Sequence, residues 1–237
     1  MRKTITACIA AVGLLNALGT LGCGTSGTPP GATSVSQPEN KASSEIGYGT
    51  LLGHTYSNDY FGLSVSIPDE WYIQNREEAA EVLRIGKAVT LGQGVDPNFK
   101  AAVEASQTNT LQLLSAFRHP PGTPGLVSNP TVSIIAERVK HLPGIRSGAE
   151  YCAMLKQSLG QSAIKTESDA VLSGLKIGSL DAHCLPARMT VGTIVIQQRF
   201  YATRYKDYVL AVIVSYSADE ELLTAEKILS EIKAGGK

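Results

Sequence analysis

Residues 56–71 read Tyr56-Ser-Asn-Asp-Tyr-Phe-Gly-Leu-Ser-Val-Ser-Ile-Pro-Asp-Glu-Trp71. The Asn58-Asp59 pair sits between aromatic residues in the stretch that starts at Thr55, and this predicts a hairpin. Leu63, Val65 and Ile67 then alternate with Ser64 and Ser66, the period of two expected of a half-buried strand. Pro68-Asp69-Glu70 ends that strand. Trp71 follows the proline and is expected to pack over the hairpin end as a core plug; a ligand-stacking platform is the alternative.

Outward from this hairpin the chain alternates strands with a few helices. Arg76 to Leu91 predicts a helix, with Glu77, Glu78 and Glu81 near its positive end, and Gly92 and Gly94 terminate it. A shorter helix over Pro97 to Ala105 and a strand from Thr110 to Phe117 come next. Residues 119–130 hold four prolines and are expected to be a long irregular loop. Val132 to Val139 alternates as a strand and ends in a turn at Leu142-Pro143-Gly144-Ile145. Ser147-Gly-Ala-Glu150 has the Ser-x-x-Glu form of a capping box and predicts a helix from Gly148 to about Leu159. In the last third, Val171-Leu172 and Lys176-Ile177 are read as flanking a glycine turn, and extended runs cover Leu180 to Val191, Ile194 to Thr203 and Tyr208 to Tyr216. The run Tyr208 to Val214 is apolar in both phases, which requires cover on both faces of its sheet. Ser217-Ala-Asp-Glu220 repeats the capping pattern and opens a final helix with Leu222, Ala225, Leu229 and Ile232 on one face. The expected class is α+β, a sandwich built on a mainly antiparallel sheet.

The motif of the opening hairpin, Tyr56 to Trp71, resembles the start of PsbP-like domains, in which an aromatic hairpin with Phe-Gly, alternating apolar residues and Pro-x-x-Trp leads into an α-β-α sandwich. That family includes a lumenal subunit of the oxygen-evolving complex, a nuclear-import factor and many bacterial envelope lipoproteins. Glu137-Arg-Val-Lys-His-Leu-Pro-Gly-Ile-Arg-Ser-Gly148 and Gln197-Gln-Arg-Phe-Tyr-Ala-Thr203 resemble the last group. The resemblance implies one PsbP-like domain over residues 47–237. It carries over no metal or partner residue, because no matching motif is visible.

Upstream of the domain, Arg2 and Lys3 precede an apolar run from Ile5 to Leu21 that stops at Leu21-Gly22-Cys23. A basic start, a short apolar stretch and small residues before the cut describe a secretory leader. Cys23 is then the residue that lipoprotein processing would acylate, for instance with palmitate, leaving 1–22 as signal peptide and 23–46 as lipidated cysteine and flexible tether. Thr20 stands where such signals usually carry Leu, and Ala17-Leu-Gly19 could serve ordinary signal peptidase. A retained anchor is disfavoured because polar residues interrupt a run that barely reaches the ~20 apolar residues needed to span a bilayer. Residues 24–46 are rich in Gly, Ser, Thr and Pro, and a coil of that length spans roughly 25–30 Å. Without Arg2 and Lys3 the chain has 19 basic and 21 acidic residues, a net charge of about −2, which supplies no footprint for nucleic acid and no polybasic membrane patch, so attachment is expected to come from lipid and not from charge.

Chemistry in the body is sparse. Loss of the leader and acylation of Cys23 leave Cys152 and Cys184, which are expected to form a disulfide worth roughly 3–4 kcal/mol for a loop of about 30 residues. A redox pair would want the closer Cys-x-x-Cys spacing. His54, His119, His141 and His183 show no metal-ligand spacing, and no cofactor is expected. Asp181 and His183 share a strand face, where a surface pair competes with a dyad. Arg199 and Tyr201, with Gln197, line one face of an otherwise apolar strand as a polar patch, with a helix-covered salt bridge as the alternative for Arg199, and His119, Pro120 and Pro121 open the long loop, which is either a binding edge or an inert connection. These seven residues, His119, Pro120, Pro121, Asp181, His183, Arg199 and Tyr201, are the candidate interaction surface. Two functions follow. The first is a noncatalytic interaction module in a bacterial envelope, lipid-anchored, facing periplasm or exterior and meeting an envelope protein. The second is a ligand binder or enzyme whose pocket would gather Asp181, His183, Arg199 and Tyr201.

Overall fold

The computed structural model describes residues 46–80, 91–92, 95–126 and 128–235. The expected leader, Cys23, nearly all of the tether, residues 81–90 of the expected helix and Gly94 lie outside the described residues. Residues 76–80 are helical, as expected for the start of that helix.

The chain opens with β1 (Thr50–Leu52), β2 (Thr55–Asn58) and β3 (Leu63–Ser66), a small antiparallel sheet. It continues through β4 (Tyr72–Ile73), α1 (Pro97–Asn109), β5 (Thr110–Phe117), β6 (Thr131–Arg138) and α2 (Gly148–Leu159). β7 (Lys165–Ser168), β8 (Leu172–Ile177), β9 (Leu180–Val191), β10 (Ile194–Tyr205), β11 (Tyr208–Tyr216) and α3 (Asp219–Ser230) complete it. The large sheet runs β4-β5-β6-β11-β10-β9-β7, with β8 also paired to β9, and every pairing is antiparallel.

The two-phase apolar pattern of β11 explains the layering. Leu210, Val212 and Val214 face one side, where they meet Leu222, Ala225 and Ile228 of α3 together with Tyr56, Leu63, Val65 and Trp71 of the hairpin region. Val209, Ala211 and Ile213 face the other, against Tyr151, Cys152, Leu155 and Leu159 of α2. The sheet is therefore covered by α3 and the small sheet on its first face and by α2 on its second. The protein is α+β on an antiparallel sheet with helices on both faces. Trp71, 2% exposed, fills the first-face core, so its ring works as a plug.

Several elements depart from the sequence reading. The supposed glycine turn at 173–174 is instead part of one strand, β8, with a register irregularity between Leu172 and Leu175 and a positive φ of 77° at Gly174. The strand bulges there and reverses later, at Gly178-Ser179. β7 went unseen because its four polar or charged residues carry no apolar period; its strand state comes from pairing with β9. α1 runs four residues beyond the expected end at Ala105. The cap of α3 is also different: Ala218 holds the cap position and offers no side-chain acceptor. The Glu221 carboxylate reaches back instead, accepting from Ser217 N at 2.7 Å and Ala218 N at 3.3 Å.

Candidate functional site

At one end of the large sheet β6 leaves at Arg138, and Val139 N donates to Asp207 O across the β10–β11 turn at 2.9 Å. Two tight turns follow, Leu142 N to Val139 O at 2.8 Å and Ile145 N to Leu142 O at 2.9 Å. They bury Ile145 in the second-face core and leave Arg146 exposed beside it. Ser147 then caps α2, its hydroxyl accepting from Ala149 N at 3.2 Å. The facing wall is Arg204, whose Nη1 donates to Ile145 O at 2.5 Å and whose Nε donates to Lys206 O. Lys206 holds the turn with a left-handed φ of 53°, unusual for a residue with a side chain.

These walls enclose an open cleft of about 340 Å³. Its apolar floor is Val139, Leu142, Pro143 and Ile145, and its cations are Lys140, Arg146 and Arg204. Asp207 lies 3.4 Å from Lys140 and partly balances it. The Glu150 carboxyl is held below the usual carboxylate range by its hydrogen bond to Ser147, with Arg146 a smaller contributor. Arg146 presents a guanidinium fork, Arg204 adds its charge and the N–H groups that the Ile145 and Lys206 carbonyls do not take, and with the Lys140 ammonium beside them they favour a planar or tetrahedral oxyanion. The floor has room for carbon attached to it. Across the end of the sheet, Lys206 Nζ lies 4.8 Å from the ring centre of Tyr60 and 5.1 Å from that of Tyr205, and Tyr208 packs edge-on to Tyr60 at 5.6 Å.

The structure separates the residues expected to form a site. Asp181 is exposed, and its 2.6 Å ion pair with Lys176 lowers its pKa, with His183 a minor cause. His183 points toward the start of α2, where a side chain on Gly148 would meet its Nδ1 at 3.2 Å. Arg199 points the other way and pairs with Glu226 of α3 at 2.9 Å. Burial works against its charge, yet hydrogen bonds with Tyr201 and Tyr216 more than offset this and raise its pKa. Tyr201 is buried on that same first face, and burial raises its phenol pKa. The four residues lie on opposite faces of the sheet and make no common pocket. The loop opened by His119, Pro120 and Pro121 stands at the far end of β6 from the cleft. Asn129 ties its base to the His119 backbone in both directions, at 2.9 and 2.7 Å, and Ser128 reaches Glu221 of α3 at 2.8 Å.

The expected disulfide is overturned. Cys152 and Cys184 are both free thiols. The helix and strand do lie together, but strand parity turns Cys184 to the first face with Ala182 and Tyr201, whereas Cys152 sits in the second-face core. Cys152 Sγ instead points at the carbonyls of His183 and Phe200, at 3.8 and 3.9 Å. Burial is the main reason that both thiols are pushed up to about 12.

A row of buried polar groups also escaped the sequence reading. Ser115 and Ser133 are cross-strand partners with hydroxyls 2.9 Å apart, Gln112 reaches Ser115 at 2.5 Å, and Gln198 donates to Ser215 at 2.8 Å. Tyr151 donates to Glu137 at 2.5 Å on the same face. Each serine looks like an ordinary polar position within its own strand; only the register across β5, β6, β11 and β10 aligns them. The cleft had a signal, in the cations flanking Leu142-Pro143-Gly144-Ile145, but Arg204 joins them through a hairpin distant in sequence.

Among the described residues no group of three or more metal-ligating side chains is assembled, and no helix is long and apolar enough to cross a membrane. No family model and no curated protein matches the chain. Solved structures similar to parts of it include LpqN of Mycobacterium tuberculosis, involved in cell envelope biogenesis, at 10% identity over 73% of this chain and 83% of that one, with a TM-score of 0.40. A Pseudomonas aeruginosa protein of unknown function, PA94, is similar at 13% identity over 50% of this chain and 74% of the other, with a TM-score of 0.34. Both superpose loosely.

Proposed function

We propose that this chain is a noncatalytic recognition module of a bacterial envelope, PsbP-like in fold, held to a membrane by acylated Cys23 and binding an acidic group of an envelope component in the basic cleft. The observation that carries the binding role is the cleft itself: about 340 Å³, with three cations around an apolar floor. That size suits a small ligand or the end of a larger one. The leader pattern and Cys23 support the anchor. The enzyme alternative loses its proposed centre, since Asp181 and His183 are divided by the sheet from Arg199 and Tyr201.

Titration of the full chain with inorganic phosphate, followed by backbone amide shifts, tests the cleft. Amides of Ile145, Arg146 and Arg204 are expected to move in a saturable way, and the Lys140→Gln/Arg146→Gln double variant is expected to lose the response. Saturable shifts confined to other regions would overturn the cleft assignment. Intact-mass analysis of the envelope fraction tests the anchor independently, with a chain beginning at acylated Cys23 as the expected species.

A further inference from the structure

We infer that the cleft is a second, electrostatic contact with the membrane that carries the anchor, in which the phosphate of an anionic lipid sits among Lys140, Arg146 and Arg204; this rests on the anion-binding reading above. The reason is where the chain enters the fold. Gly47 O accepts a hydrogen bond from Asn58 Nδ2 at 2.9 Å, and Asn58 Oδ1 accepts one from Tyr60 N at 3.1 Å. Tyr60 in turn lies under Lys206 and against Tyr205 and Tyr208. The first described residues therefore lie two side chains away from the β10–β11 turn, and the end of β10 that leads into that turn supplies Arg204 to the cleft.

The 23 residues that follow Cys23 join the body at this end and, with Cys23 acylated as proposed above, bring it to the bilayer first. Arg138, Lys140, Arg146 and Lys206 are exposed here beside the half-buried Arg204. The nearby exposed or half-buried acids are Asp59, Asp207 and Glu150, and Asp207 already faces Lys140. Half-buried Tyr60, Tyr205 and Tyr208 offer rings with polar tips, a chemistry suited to headgroup depth. An acidic protein would satisfy the cations equally well, but nothing would place it at the entry point of the tether. In the anchoring proposed above, a multiply acylated Cys23 is enough to hold the chain. The lipid contact therefore sets orientation. It turns the loop at 119–130 outward, since β6 spans the eight residues between that loop and the cleft.

The test uses the full chain as processed in its cell, reconstituted on phosphatidylcholine vesicles with or without phosphatidylglycerol, with amine-reactive labelling read residue by residue by mass spectrometry. Lys140 and Lys206 are expected to label about fivefold more slowly on the anionic vesicles, while Lys100 and Lys227 are unchanged. High salt and the Arg138→Gln/Arg146→Gln variant are both expected to remove the protection. Neutral vesicles with free inorganic phosphate or with polyglutamate form the remaining arms. If either protects Lys140 as well as phosphatidylglycerol does, the lipid contact is overturned while the anion-binding cleft stands. If no arm protects it, both readings fall.

Discussion

His183 and Cys184 are adjacent in sequence and face opposite sides of a sheet, and the chemistry of the two thiols follows from that. Denatured without reductant, the processed chain is expected to take up two equivalents of an alkylating reagent, one at Cys152 and one at Cys184; recovery of a linked peptide pair would contradict the structure. In the native state both should resist alkylation, because the thiolate is the nucleophile and burial disfavours it. The pH dependence has a definite sign. Folded values raised to about 12 from the ordinary 9.0 mean that the neutral thiols stabilise the fold fully below about pH 9 and lose this contribution as pH rises toward 12. Urea unfolding should therefore show a shallower alkaline loss of stability for Cys152→Ala than for the parent. Tyr151 gives a second residue-scale prediction: Tyr151→Phe removes a donor to the buried Glu137 carboxyl and should cost about 1–3 kcal/mol in the same measurement.

The two capped helices differ in how their first turns are satisfied, so the corresponding substitutions should have opposite signs. Ser147→Ala removes the hydroxyl that serves Ala149 N and should destabilise by about 1 kcal/mol. Ala218→Ser supplies an acceptor that α3 lacks and should stabilise by up to about 1 kcal/mol, with thermal unfolding of the two variants as the comparison. Gly148→Ala should be worse than either, since its Cβ would lie 2.1 Å from Ala202 O on β10 and the helix would have to lift from the sheet. This is also the scale at which the sequence was most legible. The ends of α2, β5, β9 and β11 match their expected positions because capping residues and apolar periods are local signals. β7 and the bulge in β8 were not legible, since both are decided by what β9 offers as a partner.

Across the whole molecule, the layers are joined by the last described residues, a connection that no periodicity foretells. Lys233 exchanges both backbone hydrogen bonds with Ser64 of β3 at 2.8 Å, and Gly235 N reaches Phe61 O at 3.1 Å. Ser179, in the β8–β9 turn, donates to Ala234 O through both its amide at 3.3 Å and its hydroxyl at 2.7 Å. A single extended stretch thus ties the small sheet to the far hairpin of the large one, while Ile232 and Ala234 fill the first-face core. The cleft was illegible for a related reason: its walls belong to segments about 60 residues apart, and only closure of the sheet brings Arg204 onto Ile145. Truncation before Ile232 removes the strap without touching β9, β10 or β11. Hydrogen exchange should then show Tyr56 and Val65 amides opening at least tenfold faster, by loss of about 1.4 kcal/mol or more of local stability, while Val212 and Phe200 retain their protection. Equal acceleration at all four amides would mean that the two sheets unfold as one unit, and that the strap stabilises the molecule globally rather than clasping one layer to another.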